Sequence, residues 1–184
     1  MIAGHIGAAA GAKRWAPNVP VWALLVGSFL IDLIFGILYA TGKENIEAME
    51  GTDGGYGKMA FQVDWSHSFF GTILLCTVVV IVATRFFGGK GAFILSCVVF
   101  SHWFLDVIVH RPDMPIAPGN PGAMPRVGLG MWDFPVFVLI LELALIAGGA
   151  WLWDSAPESG DKARKGAIAL AIAAVAILIW DFTA

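Results

Sequence analysis

The sequence predicts an all-α, polytopic membrane fold: one helical domain over residues 1–184, with about five transmembrane helices and a short N-terminal half-helix. Three observations predict it. Only 14% of the residues are charged and 58% are hydrophobic, where a soluble domain carries about 25% charged residues. Five apolar runs are each long enough to cross a bilayer. Trp15, Trp22, Trp65, Trp132, Trp153 and Trp180 sit at the ends of such runs, the interfacial position where an indole is buried while its N–H stays wet.

Residues 2–12 are small and apolar but too short to cross, since about 20 helical residues are needed for a hydrocarbon core of about 30 Å. A helix of this length reaches about 16 Å. Entering from the side of Lys13 and Arg14, it would carry His5 toward mid-bilayer; a segment lying on the surface is the competing reading. The stretch is not a signal peptide, because its positive charges follow the apolar residues. The long runs then fall at about 20–42, 66–87, 91–110, 131–153 and 166–182, lengths that indicate helices and not strands. In lipid the helix also satisfies every backbone polar group internally. Gly42, Gly88–Gly89 and Gly128–Gly130 mark segment ends. The loop 43–63 is first acidic, then glycine-rich. The loop 111–130 holds five of the nine prolines and reads as a stiff, irregular cap. Cys76 and Cys97 lie inside apolar runs and read as small hydrophobes, not as a disulfide or thiolate site. Asp154, Glu158 and Asp161 read as a solvated loop, and Asp181 as interfacial.

Charge sets the orientation and excludes one class of partner. With five crossings, Lys13, Arg14, Arg85, Lys90, Lys162, Arg164 and Lys165 share one side, against Lys43, Lys58, Arg111 and Arg126 on the other. The positive-inside rule then predicts a cytoplasmic N-terminus, with loops 43–65 and 111–130 outside. A net charge of -3 without a basic run argues against nucleic acid as a partner.

The four histidines, His5, His67, His102 and His110, all lie in or at the edge of apolar segments. Asp32 and Glu142 lie in the middle of the first and fourth runs, Asp106 inside the third, and Asp64 and Asp133 open the second and fourth. A carboxylate near the bilayer centre costs several kcal/mol, so several of them together imply a shared cation or proton. The sharpest pattern is SHWFLDVIVHRPD, in which His102, Asp106 and His110 recur every four residues. Four residues advance a helix by about 400°, which stacks these side chains on one face; Asp113 lies in the cap beyond. Imidazole and carboxylate together suit zinc, and also manganese or iron. Each residue has a plainer reading beside this one. His102 with Asp106, or Asp32, could be a contact between helices, and His67, between Ser66 and Ser68, part of a helix start. His110 and Asp113 could be interfacial, Asp133 could open a helix before Pro135, and Glu142 could relay protons or pack.

Taken together, GHIGAA, GSFLID, DWSHS and SHWFLD resemble the bacterial membrane-bound metal-dependent hydrolases, small inner-membrane proteins distantly related to the zinc-dependent phospholipase C and P1 nuclease fold. The segment HRPDMPIAPGN, with GLGMWDFP, also looks like stretches of bacterial membrane proteins labelled permeases. The resemblance implies His5, Asp32, His67, His102 and Asp106 as metal ligands. The chain departs from the family at Ile31, where Pro is common, at Ile34, where a second acid stands, and at Gln62, where a His stands. Asp64 is the residue that would take the place of that His.

The expected function is metal-dependent hydrolysis of an ester or phosphoester, with zinc as the expected divalent ion. The substrate would be lipid-like and arrive from the membrane. Asp64 and Asp32 are the expected catalytic carboxylates, and His110, Asp113, Asp133 and Glu142 are further candidates around the site. A proton- or ion-linked transporter or permease subunit is the alternative, as is a structural subunit of a membrane complex. A homo-oligomer is compatible with either.

Overall fold

The computed structural model describes residues 1–157 and 160–183; Glu158, assigned from sequence to a solvated loop, lies outside them. Six α-helices occupy most of the described chain: α1 (Ile2–Ala12), α2 (Val21–Ser28), α3 (Leu30–Ala40), α4 (Phe69–Val109), α5 (Pro135–Asp154) and α6 (Asp161–Thr183). Helices α4, α5 and α6 are long and apolar enough to cross a membrane, and α2 with α3, bent by 50° at Phe29, gives a fourth. These long apolar helices mark an integral membrane protein.

Helix α4 has 41 residues, which as a straight rod would run about 60 Å, twice the hydrocarbon core. It is not straight. Gly88 adopts φ 69° and ψ 171°, a left-handed geometry that glycine reaches at no steric cost. The two arms fold back on each other: Cys76 Sγ donates to Ser96 O at 3.5 Å and Ser96 Oγ to Cys76 O at 3.2 Å. Farther along, Phe69 lies 5.0 Å from the Trp103 ring. The glycines expected to end a segment thus make the turn of a helical hairpin. Cys76 and Cys97 are both free thiols.

Helix α1 occupies the centre of the molecule, not its surface. Nine of its 11 residues are buried, packed against α5, α6, α2 and α4. Its composition explains this. A Cβ on Gly149 would stand 2.0 Å from the Gly7 carbonyl oxygen, and one on Gly7 would stand 2.5 Å from the Leu145 carbonyl. Helices α1 and α5 therefore cross backbone to backbone, as small residues permit where lipid gives no hydrophobic drive to pack. Ala3, Ile6, Ile146, Ala174 and Leu178 close one apolar cluster around this crossing. Ala9, Ala12, Ala16, Val19 and Leu24 join Ala92 and Leu95 in a second.

The loops at the other end carry structure that the sequence did not suggest. Within 43–63, β1 (Asn45–Ala48) pairs antiparallel with β2 (Met59–Gln62), Asn45 opposite Gln62. Within 111–130, β3 (Met114–Pro115) pairs with β4 (Arg126–Val127). Short 3-10 turns at Pro121–Ala123 and Met131–Asp133 complete this cap, and Pro135 opens α5.

Candidate metal centre

Three helices and a turn deliver five side chains to one place. His5 comes from α1, Asp32 from α3, and His102 and Asp106 from the second arm of α4. His67 comes from the turn just before α4. All three histidines are buried, as is Asp106, while the Asp32 side chain is 40% exposed. The helical spacing of His102 and Asp106 works as the sequence implies, with His102 Nε2 3.0 Å from Asp106 Oδ2.

The orientation of each ring is fixed from behind. Helices α2 and α3 break at Ser28–Phe29, and α3 starts its own ladder with Leu33 N–H on Phe29 O. The Ser28 carbonyl accepts the His102 Nδ1–H at 2.7 Å, and the Ser28 hydroxyl donates to His5 O at 2.8 Å. A carbonyl only accepts, so Nδ1 carries the proton, and a neutral ring turns its Nε2 lone pair forward. His5 stacks on His102 with centroids 3.9 Å apart and donates Nε2–H to Asp106 Oδ1 at 3.1 Å. His67 is held by the Ser66 hydroxyl at Nδ1, 2.7 Å away, and by the Trp103 indole N–H on its carbonyl, 2.8 Å away.

Four donor atoms converge here, His102 Nε2 among them. From it, Asp106 Oδ2 lies at 3.0 Å and Asp32 Oδ1 at 3.4 Å. His67 Nε2 lies 3.5 Å from Asp32 Oδ1 and 3.6 Å from Asp106 Oδ2. Ligands bound to zinc at about 2.0–2.1 Å in a tetrahedron are separated by about 3.3–3.4 Å, so these spacings are those of polyhedron edges. His102 Nε2 is also buried without a hydrogen-bond partner. A lone pair facing two carboxylates is repelled unless a proton or a metal ion lies between them. Two carboxylates with three neutral imidazoles carry two negative charges, which one divalent ion balances in a low-dielectric site. The donor set thus fits a divalent metal, in two overlapping groups: His5, His102 and Asp106, and Asp32, His67 and His102.

The other candidates surround this cluster or stand apart. A cavity of about 370 Å³ opens over it, bounded by His5, Asp32, His67, Asp106 and His110 and by the aromatic residues Phe35, Tyr56, Phe61 and Trp132. His110 Nδ1 donates to Asp113 Oδ1 at 2.9 Å, and its ring lies 6.1 Å from that of His67. Asp64 is not at the cluster: it pairs with Arg126 at 2.6 Å, and its carbonyl accepts Gly119 N–H. Asp133 pairs with Arg111 instead of lining the cavity. Glu142 is fully buried behind α1, accepting Gly4 N–H at 2.8 Å and the Tyr56 hydroxyl. Burial, and then the Glu142 carboxylate, push the Tyr56 hydroxyl well above its ordinary value, so it stays a donor.

Four residues with a part in this site carried no signal of it in the sequence. Glu44, read as one acid of an acidic loop, is buried, and its Oε1 accepts Trp65 N–H at 2.7 Å and Ser66 N–H at 2.9 Å. It shapes the turn that carries His67. Ser68, a helix-start residue by position, sends its hydroxyl to Trp65 O instead of capping α4. Tyr56 and Asp181 both border the cavity, the first from a glycine-rich loop and the second from the last turns of α6. Compared with known proteins, the chain matches no family model, no curated protein and no solved structure.

Proposed function

We propose that this chain is a membrane-embedded, metal-dependent hydrolase of an ester or phosphoester, in the manner of the bacterial inner-membrane hydrolases it resembles. The observation that carries the reading is the convergence of Asp32, His67, His102 and Asp106, with the unpartnered His102 Nε2 among them. Those four residues would hold the ion, zinc by donor type and spacing. His5 positions Asp106 through its hydrogen bond. When bound, such an ion lowers the pKa of a coordinated water toward about 7 and polarises the scissile group.

The protein's own groups divide the remaining work. Asp32 is the cluster carboxylate that reaches open space, so it receives the proton of an attacking water at its free oxygen. Asp64, committed to Arg126, does not take that role. His110, oriented by Asp113 and bordering the cavity, delivers a proton to the leaving group. The five apolar runs cross the bilayer five times, with α4 as a hairpin and the Lys13–Arg14 end of α1 cytoplasmic, so the cavity, with Met1 at its wall, opens to the outer side. A lipid-like substrate enters beside α3, where Leu33 and Ile37 are 53% and 66% exposed next to the half-open Asp32.

Elemental analysis of protein purified in detergent without chelator tests the centre. We expect close to one equivalent of zinc or another transition metal in the wild type and little in His102→Ala. Wild-type protein free of transition metal would defeat the hydrolase reading and favour proton- or ion-linked transport by the same intramembrane acids.

A further inference from the structure

We propose that the cavity selects a headgroup bearing a positive charge, an ammonium or alkylammonium, a proposal that rests on the metal-site reading above. It begins with what the cavity lacks. No Lys or Arg is among the described residues that line it, although four such residues lie on the same side of the molecule by sequence. Arg111 is engaged with Asp133 and the Gly57 carbonyl, and Arg126 with Asp64 and the Asp113 carbonyl. Lys43 lies over the Trp65 ring at 5.7 Å, and Lys58 is exposed and does not border the cavity. A site built for an anionic head would point guanidinium or ammonium groups into it.

The cavity instead offers negative charge and aromatic surface. Once Asp32 and Asp106 are balanced by a divalent ion, Asp181 at the cavity wall and Glu142 behind Tyr56 remain. Met1 lines the cavity too, and its terminal amine is a charged neighbour of Asp181, one positive group set against these two acids. Tyr56, Phe61 and Trp132 border the same space; the Tyr56 ring lies tilted against Phe182, next to Asp181, with centroids 4.2 Å apart. An acid beside several aromatic rings is the arrangement that recognises alkylammonium groups, through ring quadrupoles and one ion pair. An ester or phosphoester group at the metal and an ammonium at Asp181 would together fit a zwitterionic amphiphile.

Native mass spectrometry of the metal-loaded full chain in detergent reads metal and ligand in one spectrum. The probes are dihexanoyl phosphatidylethanolamine, dihexanoyl phosphatidylglycerol and soluble phosphoethanolamine. We expect the ethanolamine lipid to bind at least about ten-fold tighter than the glycerol lipid, and Asp181→Asn to erase that preference without loss of metal. Soluble phosphoethanolamine binding as tightly as the lipid would also support the ammonium site, and would assign it a water-borne substrate. Equal or tighter binding of the glycerol lipid, or a preference unchanged in Asp181→Asn, would overturn the proposal while the metal peak stands. Loss of the metal peak from the wild type would instead remove the reading beneath it.

Discussion

His67 reaches the cluster from a turn, not from a helix, and a turn needs its own scaffold. Glu44 supplies it from across the chain, its buried carboxylate satisfying the N–H groups of Trp65 and Ser66. Glu44→Ala would leave the buried Ser66 N–H without an acceptor, at about 1–3 kcal/mol, and the part-buried Trp65 N–H as well. Glu44→Gln keeps an acceptor oxygen and should lose less. We therefore expect Glu44→Ala to lower metal affinity about 10–100-fold, the usual effect of losing a group that orients a ligand, with Glu44→Gln in between. Metal-affinity titration of the two variants checks the order; equal affinity in wild type and Glu44→Ala would show that His67 needs no such support. The contrast with His102 and Asp106 shows what a sequence can carry. Their spacing of four places them on one helix face whatever the tertiary fold, so their proximity was readable. The pairing of Asp64 with Arg126 crosses 62 positions, and nothing local to DWSHS distinguishes an acid held by an arginine from one facing a site. Glu44, Tyr56 and Asp181 were hidden for the same reason: each acts through a partner that only the fold supplies.

At the scale of elements, the site depends on how deeply α1 is seated. A segment of 11 residues cannot cross the bilayer, yet it carries His5 to the centre because glycine lets α1 and α5 touch at the backbone. The neighbouring glycines of α5 give a matched test. Gly149→Ala places a methyl 2.0 Å from the Gly7 carbonyl oxygen, whereas a Cβ on Gly148 meets nothing within 4 Å. In a helix interior Gly→Ala by itself gains up to about 1 kcal/mol, so Gly148→Ala should be neutral or slightly stabilising. Gly149→Ala must force the helices apart and should cost about 1–3 kcal/mol or more, the range for overpacking, with metal lost as His5 and Asp106 separate. Thermal unfolding and metal content in detergent read both variants. A Gly149→Ala protein as stable and as metal-rich as wild type would show that α1 does not need close contact with α5. The small, apolar character of residues 2–12 was plain in the sequence, as were the apolar runs and the breaking glycines. The β-hairpin within 43–63 was not, because four-residue strands in a glycine-rich loop leave too short a pattern of alternation to stand out. The bend at Ser28–Phe29 was equally silent: no proline marks it, and an apolar run reads the same whether its helix is straight or broken.

For the molecule as a whole, the doubled α4 decides both topology and the side from which the cavity is reached. If its arms cross separately, the loop at 43–63 and the chain at Lys162 face opposite sides of the membrane. If α4 counts as one crossing, the same two points face the same side. Cys76 and Cys97 are the chain's two cysteines, so a background with both replaced by alanine allows single-cysteine mapping. Lys58 is exposed in the hairpin loop and Lys162 in the first turn of α6, away from the cluster. With a membrane-impermeant thiol reagent, we expect Lys58→Cys to react in intact cells and Lys162→Cys only after the membrane is opened. That outcome supports two crossings for α4, a cytoplasmic Lys13–Arg14 turn and an outward-facing cavity, as the charge bias requires. The reverse pattern would keep five crossings but turn the cavity toward the cytoplasm, so that its substrate comes from the inner leaflet. Labelling of both sites from one side would refute the double crossing. Hydrogen bonds between Cys76 and Ser96 would then join two arms at one face of the membrane, leaving the apolar surface of α4, from Leu74 to Phe86, without lipid to cover it. Exposure of Leu74, Ile81 and Phe86 at 66%, 64% and 73% is costly in water and unremarkable in a bilayer, which is why the double crossing is the expected result.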